Sequence, residues 1–272
     1  SPQVSPRAPR ESTPLPKTEA GWCPRSTPDL QYAQPHFSEH DLNRIHEVIR
    51  PHSFGTTVTH NQGKPFATHI PFMLDAERGP YGTLVAHLAR RNPHASVLGV
   101  DAESLVIFLG PHAYVSPAWY LSQETVPTYN YVAVHAYGRA RVVEDRSALE
   151  SMARRLVDEH ETRVGSDWDK RKMDHEAAAT MGGIVGFEIQ IDRIEATSKL
   201  SQNRSRADQE RVAEIFAESP DPRRRELSVL MSENLDRELN PRYPAAPGPP
   251  VAIRGVPRTY PFTAPIVSPL TK

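Results

Sequence analysis

The sequence predicts an α+β fold, an antiparallel and closed or half-closed β-barrel with peripheral helices. Three observations lead there. Apolar side chains alternate with a period of two through Lys64–Leu74, Tyr131–Val143 and Val185–Ile191. Short turn segments, His60-Asn61-Gln62-Gly63 and Arg78–Gly82, separate the early runs. Helical spacing is gathered mainly late in the chain, as expected when helices flank a sheet rather than alternate with its strands.

Ser38-Glu39-His40-Asp41 reads as a capping-box variant ahead of Leu42, Ile45 and Ile49, a short helix that Pro51 should stop. Strands are expected at Ser53–Thr59, Lys64–Leu74 and Thr83–Ala89. In the second of these, Phe66, Ile70, Phe72 and Leu74 point one way, and Ala67, His69, Pro71 and Met73 the other. Ser104–Leu109 is a continuous apolar run, as expected of a strand buried on both faces. In Tyr131–Val143, Val132 and Val134 oppose Ala133, His135 and Tyr137. In Val185–Ile191 the odd-numbered side chains point inward while Glu188 and Gln190 point out. Helices are expected at Arg146–His160, Lys170–Met181, Arg206–Glu218 and Arg223–Leu239.

The chain has 272 residues, with 32 basic and 33 acidic side chains and a net charge of −1. That balance argues against a polybasic surface for nucleic acid or anionic lipid. No reading helix is visible either, so DNA binding is not expected. Residues 1–30 and 241–272 hold 16 of the 27 prolines and lack periodicity, so they read as extended tails. The expected division is therefore a tail over 1–30, a barrel domain over 31–220, a helix over 221–240 and a second tail over 241–272. The single cysteine, Cys23, excludes an intrachain disulfide, a cysteine-based structural zinc site and an iron–sulfur cluster. No apolar run is long enough for a helical membrane span and the N-terminus has no apolar signal core, so a soluble cytoplasmic protein is expected.

Twelve histidines invite a metal reading, but their spacing does not support a zinc site. His36 and His40 need not share a face, and His46-Glu47 lacks the second histidine of a zincin. His69 stands apart. It lies mid-strand, opposite the large apolar side chains, and Pro71 removes a ladder donor and places this strand at an edge or bulge. No glycine-rich dinucleotide loop, P-loop or nucleophile elbow lies at a strand–helix junction.

Several strings together resemble the PaiB family, described as FMN-binding negative transcriptional regulators: Thr68–Phe72, Gly79–Leu84, Ala86–Pro93, Phe108–Tyr120, Val126–Tyr131, Gly183–Ile191 and Lys199–Arg204. The resemblance runs from Tyr32 to Ala217 and implies a flavin-reductase-like split barrel and a homodimer. The family includes haem-dependent piperazate synthases, which close N5-hydroxyornithine into a ring with an N–N bond and hold haem iron by the histidine of a Thr-His-x-Pro motif. His69 occupies that position. The chain departs from the family at Tyr129, where tryptophan is usual, and at Ala196-Thr197-Ser198, where regulator-type members carry Gly-Lys-Trp.

Three functions follow from the resemblance. A haem b enzyme would use His69 as iron ligand, take an N-hydroxylated amine as substrate and Lys199 as candidate base, with Tyr114, Trp119 and Tyr129 stacking on the cofactor and His87 and His135 near the cavity. An FMN-binding regulator or reductase would hold the phosphate with Arg90, Lys199, Ser201 and Arg204. A haem carrier or sensor would bind the cofactor without turnover.

Overall fold

The computed structural model describes residues 34–99, 102–122, 126–168 and 181–238, all within one unit, Gln31–Lys272. The expected helix at Lys170–Met181 falls almost wholly outside the described residues, as do both proline-rich tails. Nine strands form one sheet: β1 (Ser38–Glu39), β2 (Phe54–Asn61), β3 (Lys64–Pro71), β4 (Met73–Asp75), β5 (Thr83–Ala89), β6 (Glu103–Val115), β7 (Thr128–Val142), β8 (Ile184–Gln190) and β9 (Arg193–Lys199). Among the described residues, four helices accompany them: α1 (Leu42–Ile49), α2 (Arg146–Val164), α3 (Arg206–Ala217) and α4 (Pro222–Glu238).

All the pairings are antiparallel, and the main path runs β3-β2-β6-β7-β8-β5-β4. Its two ends, β3 and β4, are halves of one strand interrupted at Phe72, so the path returns to its start and closes the barrel. The strand expected over Lys64–Leu74 is therefore broken. Phe72, 1% exposed, turns into the barrel against Phe108 and Phe187, and this kink lets the two halves pair with different neighbours.

The barrel is split at β7. Residues Tyr131–Tyr137 pair with β9, whereas Ala140–Val142 pair with β8. Between the two stretches sits Gly138, where an added Cβ would run into the Gln190 carbonyl. The β2–β3 hairpin closes through Gln62 and Gly63, both at positive φ (50° and 75°), as a two-residue turn matched to strand twist requires.

Side chains from β3, β5, β6, β7, β8, β9 and α1 fill the barrel, with Phe72, Phe108, Leu84, Phe187 and Ile189 essentially sealed. A second cluster packs Val115, Val132 and Leu200 against Val212 and Phe216 of α3 and Leu227 and Met231 of α4. A third packs Met73 and Val85 under Leu149, Met152 and Leu156 of α2, whose close approach relies on Gly186. Asp208, on α3, ties the helical layer to the sheet by accepting the N–H groups of Leu121 (2.7 Å) and Ser122 (3.1 Å) and the Ser122 hydroxyl (2.6 Å). Burial disfavours its charge, but these bonds and one from Ser205 outweigh that and hold its pKa below the usual aspartate value.

Two further expectations are corrected. The first helix is capped by Asp41, whose carboxylate accepts Asn43 N–H, because Ser38 is engaged in β1 opposite Thr197. The Ser104–Leu109 run is buried on one face only: Val106 and Phe108 are sealed, while Leu109 is 55% exposed on a face that no described helix covers.

Replacing Gly138 by Ala is expected to cost about 1–3 kcal/mol, the usual penalty for forcing a methyl into a packed site. Chemical denaturation of the two proteins checks this; equal midpoints would contradict the close approach at the fork.

Candidate functional site

The sheet's open face can be traced strand by strand, because directly opposed residues in antiparallel strands project to the same side. His69 faces Thr56, Thr56 faces Ile107, Ile107 faces His135 and His135 faces Glu195, making one row across five strands. The adjacent row is Ala67, Val58, Leu105, Tyr137 and Arg193. On β6 one extra residue at Gly110-Pro111 shifts the register, so odd-numbered side chains face out before the bulge and His112 and Tyr114 after it. This brings Tyr114 opposite Tyr129, their rings edge-on at 5.8 Å.

His69 is exposed on the last strand of the path, and its Nδ1 lies 2.8 Å from Thr56 Oγ1. Thr56 fixes the ring, and Nε2 makes no hydrogen bond among the described residues. An imidazole oriented through one nitrogen and open at the other is the usual arrangement of a metal-ligating histidine. The bed beside it is apolar, made of Val58, Leu105 and Ile107, with Phe54 and Leu109 68% and 55% exposed.

At the far end of the row, His135 is half-buried and Tyr137 is buried under the Arg193 guanidinium, 3.5 Å from its ring centre. Arg193 also pairs with Glu195, which accepts the Tyr137 hydroxyl at 3.2 Å. Burial pushes the His135 pKa down, with Glu195 opposing and Arg193 adding to that effect. His87 faces the other way, towards α2. Its Nδ1 is buried without a hydrogen bond, and burial lowers its pKa.

The remaining expected site residues are not brought together with His69. Lys199 is opposite Tyr131 at the end of β9, its ammonium bonded to Thr128 and 5.6 Å from the Phe37 ring. From His69 this is four strand spacings across, about 19 Å, and four residues along, about 13 Å. Burial and then the nearby Arg204 push the Lys199 pKa down. Arg204 stacks over Tyr120 at 4.8 Å. Ser201, 1% exposed and at φ 71°, exchanges hydrogen bonds with Asn130, and Trp119 packs edge-on against Phe216 of α3. Arg90 lies beyond β5, with its guanidinium bonded to the Gly182 and Ile184 carbonyls. Tyr114 and Tyr129 do share the open face with His69, whereas Trp119, Ser201 and Arg204 belong to the side packed on α3 and α4. Thr56, Glu195 and Arg193 were not singled out from the sequence; only the strand register reveals them.

A family described as "Putative FMN-binding domain" matches residues 31–193. The chain belongs to this family. It is 35% identical over 213 residues to the Bacillus subtilis protein "Protease synthase and sporulation protein PAI 2", a match covering 76% of this chain and all of that one. An uncharacterised protein of Emericella nidulans is 29% identical over 219 residues, covering 66% and 87% of the two chains. Among solved structures, a FAD and haem binding protein from Mycobacterium smegmatis aligns with a TM-score of 0.46 at 16% identity, over 67% of this chain and 80% of that one. The strand pairings bear out the split barrel expected from the sequence, and the family match bears out the expected family. No described helix is long and apolar enough to cross a membrane.

Because Arg204 helps hold the Lys199 pKa down, Arg204→Met should move that pKa up towards the ordinary lysine value. NMR titration of the lysine ¹⁵Nζ resonance reads this directly; an unchanged titration would separate the two cations.

Proposed function

We propose that the open face of the sheet binds haem b through His69 and that the protein is a haem enzyme acting on an N-hydroxylated diamino acid. The observation that carries the reading is the His69–Thr56 bond, which orients the imidazole and leaves Nε2 directed at an exposed, apolar-bedded face. The residues fit the group. An imidazole nitrogen stands on a strand rather than a loop, and Val58, Leu105 and Ile107 provide apolar surface for a macrocycle.

The reaction this favours joins the α-nitrogen to the hydroxylated nitrogen while the N–O bond breaks and water leaves, with no net electron transfer. Bound haem iron would supply a Lewis acid for the hydroxylamine end. The chain must hold both nitrogens in contact and accept a proton from the α-ammonium. Lys199 suits the proton step, because burial and Arg204 both favour its neutral form. Because Lys199 stands apart from His69 within one chain, in this reading a second copy would bring the lysine that serves a given His69. The exposed Phe54, Leu109, Tyr114 and Tyr129 supply an apolar face on which two copies could pair.

FMN is the second reading, favoured by the family's description and by the two cations, which have no carboxylate partner among the described residues. In that case Lys199 and Arg204 would hold the phosphate. Arg90 and Ser201 already spend hydrogen bonds on protein partners. Either cofactor could instead serve a carrier or sensor.

Protein purified from haem-supplemented cells should show a Soret band that shifts on adding cyanide. His69→Ala should give soluble protein without that band, and Thr56→Val should weaken haem retention about tenfold or more. Lys199→Met should keep the band and slow ring closure of N5-hydroxyornithine by about a hundredfold or more. A Soret band retained by His69→Ala would sink the ligand assignment, and flavin absorption without a Soret band would replace haem by FMN.

A further inference from the structure

Behind β3, on the side opposite His69, lies a buried polar group that the cofactor reading does not use. His94, in the turn Pro93–Ser96, is 0% exposed. Its Nδ1 lies 2.9 Å from Thr68 Oγ1 and its Nε2 3.1 Å from Thr59 Oγ1. Thr59 in turn bonds Ser104 at 2.9 Å, and Asn92 donates to Thr68 at 3.4 Å. One ring thus ties the turn to β2 and β3 and, through Thr59, to β6.

One arrangement of donors satisfies every member with a neutral imidazole: Asn92 donates to the Thr68 oxygen, the Thr68 hydroxyl donates to His94 Nδ1, His94 Nε2–H donates to Thr59 and the Thr59 hydroxyl donates to Ser104. The groups facing the ring are Thr59 on β2, Thr68 and Phe66 on β3, and Asn92, with Ser104 of β6 one bond beyond; none carries a charge.

We propose that His94 is an acid-sensitive latch on the β2–β3 hairpin. A proton gained at Nδ1 turns that atom from acceptor to donor, displaces the Thr68 hydroxyl proton from its acceptor, and leaves a charge without a carboxylate partner in a closed site. Burial lowers the His94 pKa in the fold. The unfolded or opened form therefore takes the proton first. The latch is fully effective above the unfolded histidine value of about 6.5 and weakens as pH falls below it. The same hairpin carries His69 one residue from Thr68, so acid reaches the open face through the strand that supports it. The latch does not depend on which cofactor the face binds.

The test is hydrogen–deuterium exchange of the full-length protein between pH 7.5 and 5.0, corrected for the chemical exchange rate. Protection of the β2–β3 amides should fall by about tenfold or more over that interval, while the α3 amides hold. In His94→Gln, whose amide keeps one acceptor and one donor but does not titrate, the hairpin profile should be flat. A flat wild-type profile, or a Gln variant that follows the wild type, would overturn the latch. Should the variant fail to fold, NMR titration of the wild-type His94 ring decides. Protonation concerted with loss of hairpin protection supports the latch, and a ring that titrates with the hairpin unmoved refutes it.

Discussion

Strand β7 must satisfy three neighbours at once, and the rest of the molecule depends on how it does so. One edge belongs to β6. The other serves β9 along Tyr131–Tyr137 and then β8 along Ala140–Val142. A strand offers one hydrogen-bonding edge per side, so two partners can share it only end to end. The handover needs a residue at which the Gln190 backbone can come close, and Gly138 supplies it. From the fork, β8 continues round to close the barrel while β9 diverges to extend the open face. The three apolar clusters then follow from what each branch leaves uncovered: the barrel interior, the side met by α3 and α4, and the side met by α2.

Much of this architecture was legible because the strands obey a period of two with their apolar side chains turned inward. Thr83–Ala89 was read from the sequence with its observed ends, and the alternation of Val132 and Val134 against Ala133, His135 and Tyr137 matches the sheet's two faces. Strand β9 was not legible. Its sequence, Arg193–Lys199, presents Ile194 and Ala196 to the core but is otherwise polar, because its other face lies open. The break at Phe72 was hidden for the opposite reason, since alternation continues through it. Only closure of the barrel requires β3 and β4 to separate.

The candidate site divides in the same way. Local pattern placed His69 on the face away from the apolar side chains and at an edge, and the strand order agrees. Thr56, which orients it, is thirteen residues away in sequence and becomes a neighbour only through register. The family motifs drew Lys199 and Trp119 towards a haem site at His69, and Lys199, Ser201 and Arg204 towards a phosphate site for FMN. The bulge at Gly110-Pro111 and the helical layer send Ser201, Arg204 and Trp119 to another side and leave Lys199 at the far corner. Linear motifs record which residues recur together; the distance between them is set by how many strands intervene.

The open edge that exposes His69 also carries a hazard. Strand β3 pairs with β2 alone, so along its outer side a row of backbone donors and acceptors faces no strand among the described residues. Such an edge invites strands from other molecules to dock and propagate. Pro65 and Pro71, near its two ends, cannot donate to an incoming strand, and Lys64 would carry a charge into any such stack. These residues shorten the stretch that a stray strand could use to the few positions around His69. The edge is left open around His69, where the proposed ligand would approach, and blunted on either side, so that the same edge could receive a small molecule without seeding polymerisation of the protein itself.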